Sequence, residues 1–312
     1  MHERFYRSLY RIRRVEEEVA RAYPTDKIKS PVHLSIGQEA ASVGVCEALG
    51  PNDIAFGTYR SHALYLAKGG DLRKMIAELY GKATGCAKGK GGSMHLIDLG
   101  AGAMGASAVV GTTIPNAVGY AYAAKLRGSQ QVVASFFGDG AVDEGVFHES
   151  MNFAALKGVP IIFICENNFY AIHTHQSRRQ KLANIAEKAR TYGMPAEVIE
   201  NNDALRVYER VHEAVAQLRA GKPGPFFFEC FAYRWKEHVG PGEDYQLGYR
   251  MRAEAEPWLD SDPVKTMAAR VDKALRARIE AEVEAEIEEA FEFAETSPFP
   301  EVTELYTDVV EL

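Results

Sequence analysis

The 312-residue chain is predicted to be an α/β protein: a parallel sheet with helices on both faces, followed by a C-terminal helical tail. Three observations predict it. Between Thr113 and Ala232, short apolar runs alternate with helix-patterned stretches, the order that builds a parallel sheet covered on both sides. The connections between them are short and rich in Gly and Asn. Past Tyr233 the strand pattern stops, and an acidic helix pattern replaces it.

The elements follow in order. Phe5, Leu9, Ile12, Val19 and Tyr23 recur at helical spacing and Pro24 ends the run, so residues 1–30 are assigned to an N-terminal helix. Its arginines (Arg4, Arg7, Arg11, Arg13, Arg14) are followed at once by the acidic run 16–18. That pattern fits an amphipathic surface helix better than a transit peptide. Residues 31–235 form the α/β domain. There, a small-residue helix opens after His33 and runs through Ala48, and another spans Leu72–Tyr80. Nine of the 27 glycines fall between positions 81 and 111, too many for a regular element, so an extended loop is expected. A helix over Thr113–Leu126 precedes a strand over Gln131–Phe137. A helix over Gly145–Leu156 then leads to a strand over Pro160–Glu166. Helices over Ile185–Tyr192 and Ala204–Leu218 flank a weak strand near Glu197–Ile199, and Pro225–Ala232 is a strong strand. Residues 236–312 comprise a mobile loop and the helical tail. Ser261-Asp262-Pro263 starts a helix there. Ile279, Val283, Ile287 and Phe291 line one face of the last helix, whose charged face is expected to be solvated.

Composition narrows the function classes. The chain is 46% hydrophobic and 25% charged, which excludes disorder and collagen-like repeats. A net charge of −7 gives no polyanion-binding surface, so no nucleic acid is expected. No apolar run approaches the roughly 18 residues of a membrane span. Cys46, Cys86, Cys165 and Cys230 form no C-x-x-C pair. This fits a reducing cytosol and a cytoplasmic location.

Two glycine motifs are decoys. Gly100-Ala-Gly-Ala-Met-Gly105 matches the dinucleotide fingerprint, but no convincing strand precedes it, and the next carboxylate is the distant Asp139. An NAD-binding oxidoreductase would rest on this motif alone. Gly85-Cys-Ala-Lys-Gly-Lys-Gly91 imitates a phosphate loop but is one residue short between glycines and lacks Ser or Thr after Lys90.

A third constellation is much stronger. Gly138-Asp139-Gly140 closes one apolar strand and Asn167-Asn168 closes the next, with 26 residues holding one helix between them. Such strands are parallel neighbours joined by a right-handed crossover. Their C-terminal ends lie side by side, where open α/β sheets bind ligands. A carboxylate and an amide oxygen there suit Mg²⁺, which takes oxygen ligands and completes its shell with phosphate and water. Flanking glycines let a diphosphate lie against the backbone.

Gly-Asp-Gly followed by Asn-Asn at this distance resembles the thiamine diphosphate fingerprint. His33-Leu-Ser-Ile-Gly-Gln-Glu39, Tyr59-Arg-Ser-His62, Gly85–His95, Val110-Gly111, Gly138–Gly145, Ile164–Tyr170, Tyr233-Arg234 and Ser261-Asp-Pro263 extend the likeness across nearly the whole chain. It resembles the alpha subunits of thiamine-dependent 2-oxo acid dehydrogenases of the pyruvate, branched-chain and acetoin types.

The resemblance implies a thiamine-diphosphate-binding fold and the following roles. Asp139 and Asn168 would ligate Mg²⁺ by side chain and Tyr170 by its carbonyl. Tyr59, Arg60 and Arg190 would hold the diphosphate, and a guanidinium fork suits phosphate oxygens. Val110 would contact the aminopyrimidine. Gly138, Gly140 and Ala141 would place backbone close to the diphosphate. His33 and His238 would be catalytic, facing thiazolium and substrate, where imidazole exchanges protons near neutral pH. His238 would also contact the cofactor. A beta subunit would supply the pyrimidine-binding domain and the activating glutamate in an α2β2 assembly. The substrate would be a small 2-oxo acid, and a lipoyl acyltransferase would accept the acyl unit. Relatives often carry His-Gly-His-Ser where this chain reads Lys236-Glu237-His238-Val239. The charge near the loop therefore differs, and no hydroxyl stands at 239 for phosphorylation. Half of a split transketolase-like enzyme would share the metal site and is the alternative reading.

Overall fold

The computed structural model of the chain, which describes residues 1–308, builds its sheet from the runs richest in Val, Ile and Phe. The strands are β1 (Ile54–Phe56), β2 (Val133–Gly138), β3 (Ile161–Asn167), β4 (Tyr170–Ala171), β5 (Thr174–His175), β6 (Ala196–Ile199) and β7 (Phe226–Phe231). Five pair in parallel in the order β1-β2-β3-β7-β6, while β4 and β5 form a small antiparallel hairpin. β3 is central and every one of its residues is buried, as the apolar run Ile161–Cys165 requires. Gly138 of β2 lies opposite Glu166 of β3, so the two sequence landmarks end at the same sheet edge, as expected.

The helices are α1 (His2–Ala22), α2 (Glu39–Ala48), α3 (His62–Ala67), α4 (Leu72–Leu79), α5 (Thr113–Leu126), α6 (Gly145–Lys157), α7 (Ala186–Thr191), α8 (Ala204–Arg219), α9 (Arg252–Asp260), α10 (Pro263–Ala268) and α11 (Lys273–Thr296). Alternation along each strand sorts them into layers. Val133, Phe137, Ile161 and Phe163 pack with α5, α6 and α7 on one face. Ala134, Phe136, Ile162 and Ile164 pack with α2 and α8 on the other. A third cluster joins α1, α4 and α11 outside α2. β1, α3 and α9 were not expected. Three and six residues are too short to show periodicity, and α9 carries Pro257 inside it.

The charged faces of α1 and α11 differ from their expected role as solvated surfaces. Arg7, Arg11 and Arg14 pair with Glu282, Glu286 and Glu284, and Tyr6 donates to Glu280 at 2.6 Å. The basic stripe of the first helix meets the acidic stripe of the last. Such exposed pairs are screened by water and contribute little, so burial of Ile279, Val283 and Ile287 remains the main attachment.

Arg13 does more than decorate the surface. It is buried, with Nε 2.5 Å from Glu39 and a fork of two 3.2 Å bonds to Asp262. Asp262 also caps α10 through the Val264 amide at 2.9 Å. The guanidinium stacks 4.2 Å from the Trp235 ring centre, tying the N-terminal helix to the segment that enters the site.

Candidate active site

At the carboxyl edge of β2 and β3 lies an open cleft of about 240 Å³. It is lined by Tyr59, Arg60, Val110, Gly138, Asp139, Gly140, Ala141, Asn168, Tyr170 and His238. Of the expected site residues, these ten are brought together. His33 stands behind them, its ring 4.5 Å from Tyr59 and 5.2 Å from His238.

Each group is positioned by local structure. Gly138 is the last residue of β2, and a Cβ there would meet nothing nearer than the Glu166 carbonyl at 3.9 Å. The bare backbone thus forms a floor open to the cleft. Asp139 follows at 1% exposure. Burial pushes its carboxyl up to about 6, opposed by the guanidinium of Arg179, which pairs with it. The two asparagines separate by strand alternation. Asn167 is fully buried and donates to Glu229 at 2.7 Å and Gln176 at 2.9 Å. Asn168 faces the cleft, donating to Gln38 at 2.8 Å and accepting from the Tyr170 amide at 3.2 Å.

Arg60 is the main cationic feature. It is buried, and it donates to the carbonyls of Leu34 at 2.7 Å and His238 at 3.1 Å rather than to a carboxylate. Burial, reinforced by Arg234, lowers its pKa to about 10, so it stays charged at neutral pH. The neighbouring His62 is fully buried, 2.9 Å from the Glu16 carboxylate and 2.8 Å from the Ser93 hydroxyl. This fastens the Gly-rich segment behind Arg60.

Gly37 fits only as glycine: its φ is +92°, and a Cβ would stand 2.4 Å from the Trp235 ring. The turn therefore brings His33–Gln38 close beneath the 236–248 segment. That segment is held by Asp244, buried at 1% exposure, which accepts from Arg250 at 2.7 Å and Arg234 at 3.1 Å. Its fixed path presents His238 to the cleft.

Two expectations need correction. Arg190 does not reach the cleft. It lies on the exposed side of α7, paired with Glu187 at 2.6 Å and the Ala196 carbonyl at 2.9 Å. The buried side of that short helix is carried by Ala186 and Ala189, which turns position 190 to solvent. The two histidines are not poised near neutrality. Burial, followed by the positive charge of Arg60, lowers both His33 and His238 to about 3. Lys236 and Glu237 do not line the cleft. Glu237 closes its own loop onto the Gly242 amide at 2.8 Å.

Glu166, Gln38 and Arg179 were not given roles from sequence. Glu166 lines the cleft, and burial raises its pKa to about 7 against the pull of Arg60. A carboxylate ending the apolar run Ile161–Cys165 was the available signal. Both glycine decoys are resolved. The Gly100–Gly105 stretch bridges the edge of β1, through Ala103 beside Ala55, and opens no helix. In the phosphate-loop mimic the amides of Ala87, Gly89, Gly91 and Gly92 all bond the buried Glu78 carboxylate at 2.7–3.0 Å. The anion in that nest is the protein's own.

The histidine environment yields a stability prediction. His33 in the folded chain stands near 3, below its ordinary 6.5, so the unfolded chain takes up this proton first as pH falls. The stability is fully present above about pH 6.5 and is lost toward pH 3, by at most about 1.4 kcal/mol per pH unit. Thermal melts of His33→Asn between pH 6.5 and 4 are expected to depend less on pH than those of the parent. Equal slopes would refute the assignment.

A glycine floor, a buried carboxylate with an amide beside it and a buried guanidinium that pairs with no carboxylate among the described residues are the features expected of a diphosphate-binding protein of the parallel α/β class. Comparison with known proteins makes this specific. Residues 7–303 match the family described as Dehydrogenase E1 component. The alpha subunit of acetoin:2,6-dichlorophenolindophenol oxidoreductase from Bacillus subtilis is 38% identical over 309 residues, covering 97% of this chain and 92% of that protein. The pyruvate dehydrogenase E1 component alpha subunits of Zymomonas mobilis and Rhizobium meliloti are each 36% identical, covering 98% of this chain and 87% and 88% of theirs. The chain belongs to the dehydrogenase E1 component family. It is an alpha-type subunit of a thiamine-diphosphate-dependent 2-oxo acid or acetoin dehydrogenase.

Proposed function

We propose that this chain supplies the diphosphate half of an active site completed by a beta subunit, and that the assembled enzyme breaks a C–C bond next to a ketone. The observation that carries the reading is Arg60, a buried cation that pairs with no carboxylate among the described residues and lines the cleft above a glycine-floored strand edge. Arg60 and Tyr59 hold the diphosphate, with the backbone of Gly138, Gly140 and Ala141 close against it. Asp139, Asn168 and the Tyr170 carbonyl hold Mg²⁺. Among the described residues no group of three or more His, Cys, Asp or Glu side chains is placed to hold a metal ion. A cation whose shell is finished by an amide, a carbonyl and phosphate oxygens suits such a site.

Bound thiamine diphosphate supplies the carbanion-stabilising chemistry that C–C cleavage needs. The chain's own groups orient and exclude. The imidazole of His238, which lines the cleft and is held neutral at physiological pH by burial and Arg60, acts as a hydrogen-bond partner toward substrate, and the neutral ring of His33 packs behind it. Val110 packs against the aminopyrimidine. The cleft rim carries Val109, Val110 and Ile172 at 63%, 41% and 52% exposure, an apolar border that supports closure by another subunit. We assign that partner the pyrimidine-binding domain and the activating glutamate in an α2β2 assembly. A small 2-oxo acid is the substrate, with a lipoyl acyltransferase as acceptor of the acyl unit. The four cysteines are free thiols, which supports a cytoplasmic setting.

The rigorously purified chain is expected to show no 2-oxo acid turnover with an artificial electron acceptor, and activity is expected on adding the beta subunit. Sustained decarboxylation by the single chain would overturn the half-site reading. Ketol transfer by the assembled pair would favour the transketolase-like alternative.

A further inference from the structure

We infer that Arg179 is a built-in counter-cation for Asp139 and sets how tightly a divalent cation binds there. The inference rests on the metal-site reading above. It begins from a buried carboxylate: Asp139 is 1% exposed, and an ionised carboxylate at such a depth is costly unless a cation stands beside it. The cation present is the Arg179 guanidinium, whose two terminal nitrogens pair with Asp139 and Asp143. Its Nε donates to the Thr174 carbonyl at 3.2 Å, which fixes the fork. The next residue, Gln180, reinforces the contact, donating to the Asp139 carbonyl at 3.1 Å and to Asp143 at 3.0 Å.

Arg179 does not line the cleft. It approaches the carboxylate from the segment that follows the 3₁₀ turn Gln176–Arg178. That segment is itself latched to β3, because the Gln176 side chain accepts from Asn167 at 2.9 Å. Both landmarks found in the sequence, Gly-Asp-Gly and Asn-Asn, are therefore gripped by one short stretch of chain.

The consequence is electrostatic. A guanidinium on a carboxylate both repels a second cation and stabilises the carboxylate in a way that cation binding must replace. Either effect weakens cation binding, so removing the guanidinium tightens it. A purely architectural role predicts the opposite sign, because a carboxylate released from its support is less well aimed. The two roles are thus separated by the direction of one measured change.

The test titrates Mn²⁺ into the full chain in thiamine diphosphate, following free Mn²⁺ by electron paramagnetic resonance and thermal melting in parallel. Arg179→Met is expected to bind Mn²⁺ about tenfold more tightly, the size of one charge-assisted contact. Its melting temperature should be lower without Mn²⁺ and rise more on adding it. Arg179→Gln, less disruptive to the segment, should shift affinity the same way, and Arg179→Lys should stay near the parent. Unchanged or weaker Mn²⁺ binding by both neutral variants overturns the inference while Asp139→Asn still abolishes binding. Mn²⁺ binding that survives in Asp139→Asn removes the metal site itself, and the inference with it.

Discussion

Asp139→Ala is expected to lower cofactor-dependent turnover of the assembled enzyme by at least about a thousandfold, roughly 4 kcal/mol of lost stabilisation, while leaving the sheet intact. The substitution removes the only carboxylate of the proposed cation set. Neither the neighbouring amide of Asn168 nor the Tyr170 carbonyl carries a charge to replace it. The fold should survive because Asp139 lies beyond the last residue of β2 and its carboxyl is held in a buried place against the preference of the charged form. Arg179 retains Asp143 as a partner. Steady-state kinetics with added Mg²⁺ and circular dichroism on the same preparation decide the matter. Mg²⁺-dependent turnover near that of the parent would refute the assignment.

Arg60→Met is expected to weaken thiamine diphosphate binding by about a hundredfold to a thousandfold. Charged hydrogen bonds are worth about 1.5–3 kcal/mol each, and the guanidinium also carries the contacts to Leu34 and His238. Arg60→Lys should recover only part of the affinity, because an ammonium cannot serve two carbonyls and a phosphate with a planar fork. Calorimetric titration of the cofactor measures both. A second readout is independent of binding. Arg60 is the next cause after burial of the low pKa of His33 and His238, so both imidazoles should titrate closer to neutrality in Arg60→Met. Histidine resonances that do not move with the substitution would contradict the electrostatic link.

Much of the fold was legible because it is written in local periodicity. β2, β3, β7, α5, α6 and α8 lie within a few residues of their expected bounds. Each is long enough, or apolar enough, to show its period, and all but β7 meet a Gly or Asn at their end or within two residues of it. β1 escaped because Ile54–Phe56 has only three residues. A strand that short is defined by its neighbours β2 and Ala103, not by its own pattern. The centre of the site was legible for a related reason. Gly-Asp-Gly and Asn-Asn end consecutive parallel strands, and topology alone places such ends together.

What the sequence determined by itself, then, is four of the five strands of the sheet, the helix that joins β2 to β3, and the pair of strand ends that carry Asp139 and Asn168. Tertiary structure alone decided which charges meet. It turned Arg190 to solvent and brought Arg179 to Asp139, although both lie in one charge-rich stretch. It filled the glycine nest with Glu78, and it set the arginines of α1 against the glutamates of α11. The physical reason is range. Backbone preference and hydrophobic period act between near neighbours and leave a mark in the sequence. The partner of a long charged side chain is chosen by where the folded chain brings it, from 40 residues away for Arg179 and Asp139 to 275 for Arg7 and Glu282, and so are the burial that lowers His33 and the depth that raises Asp139.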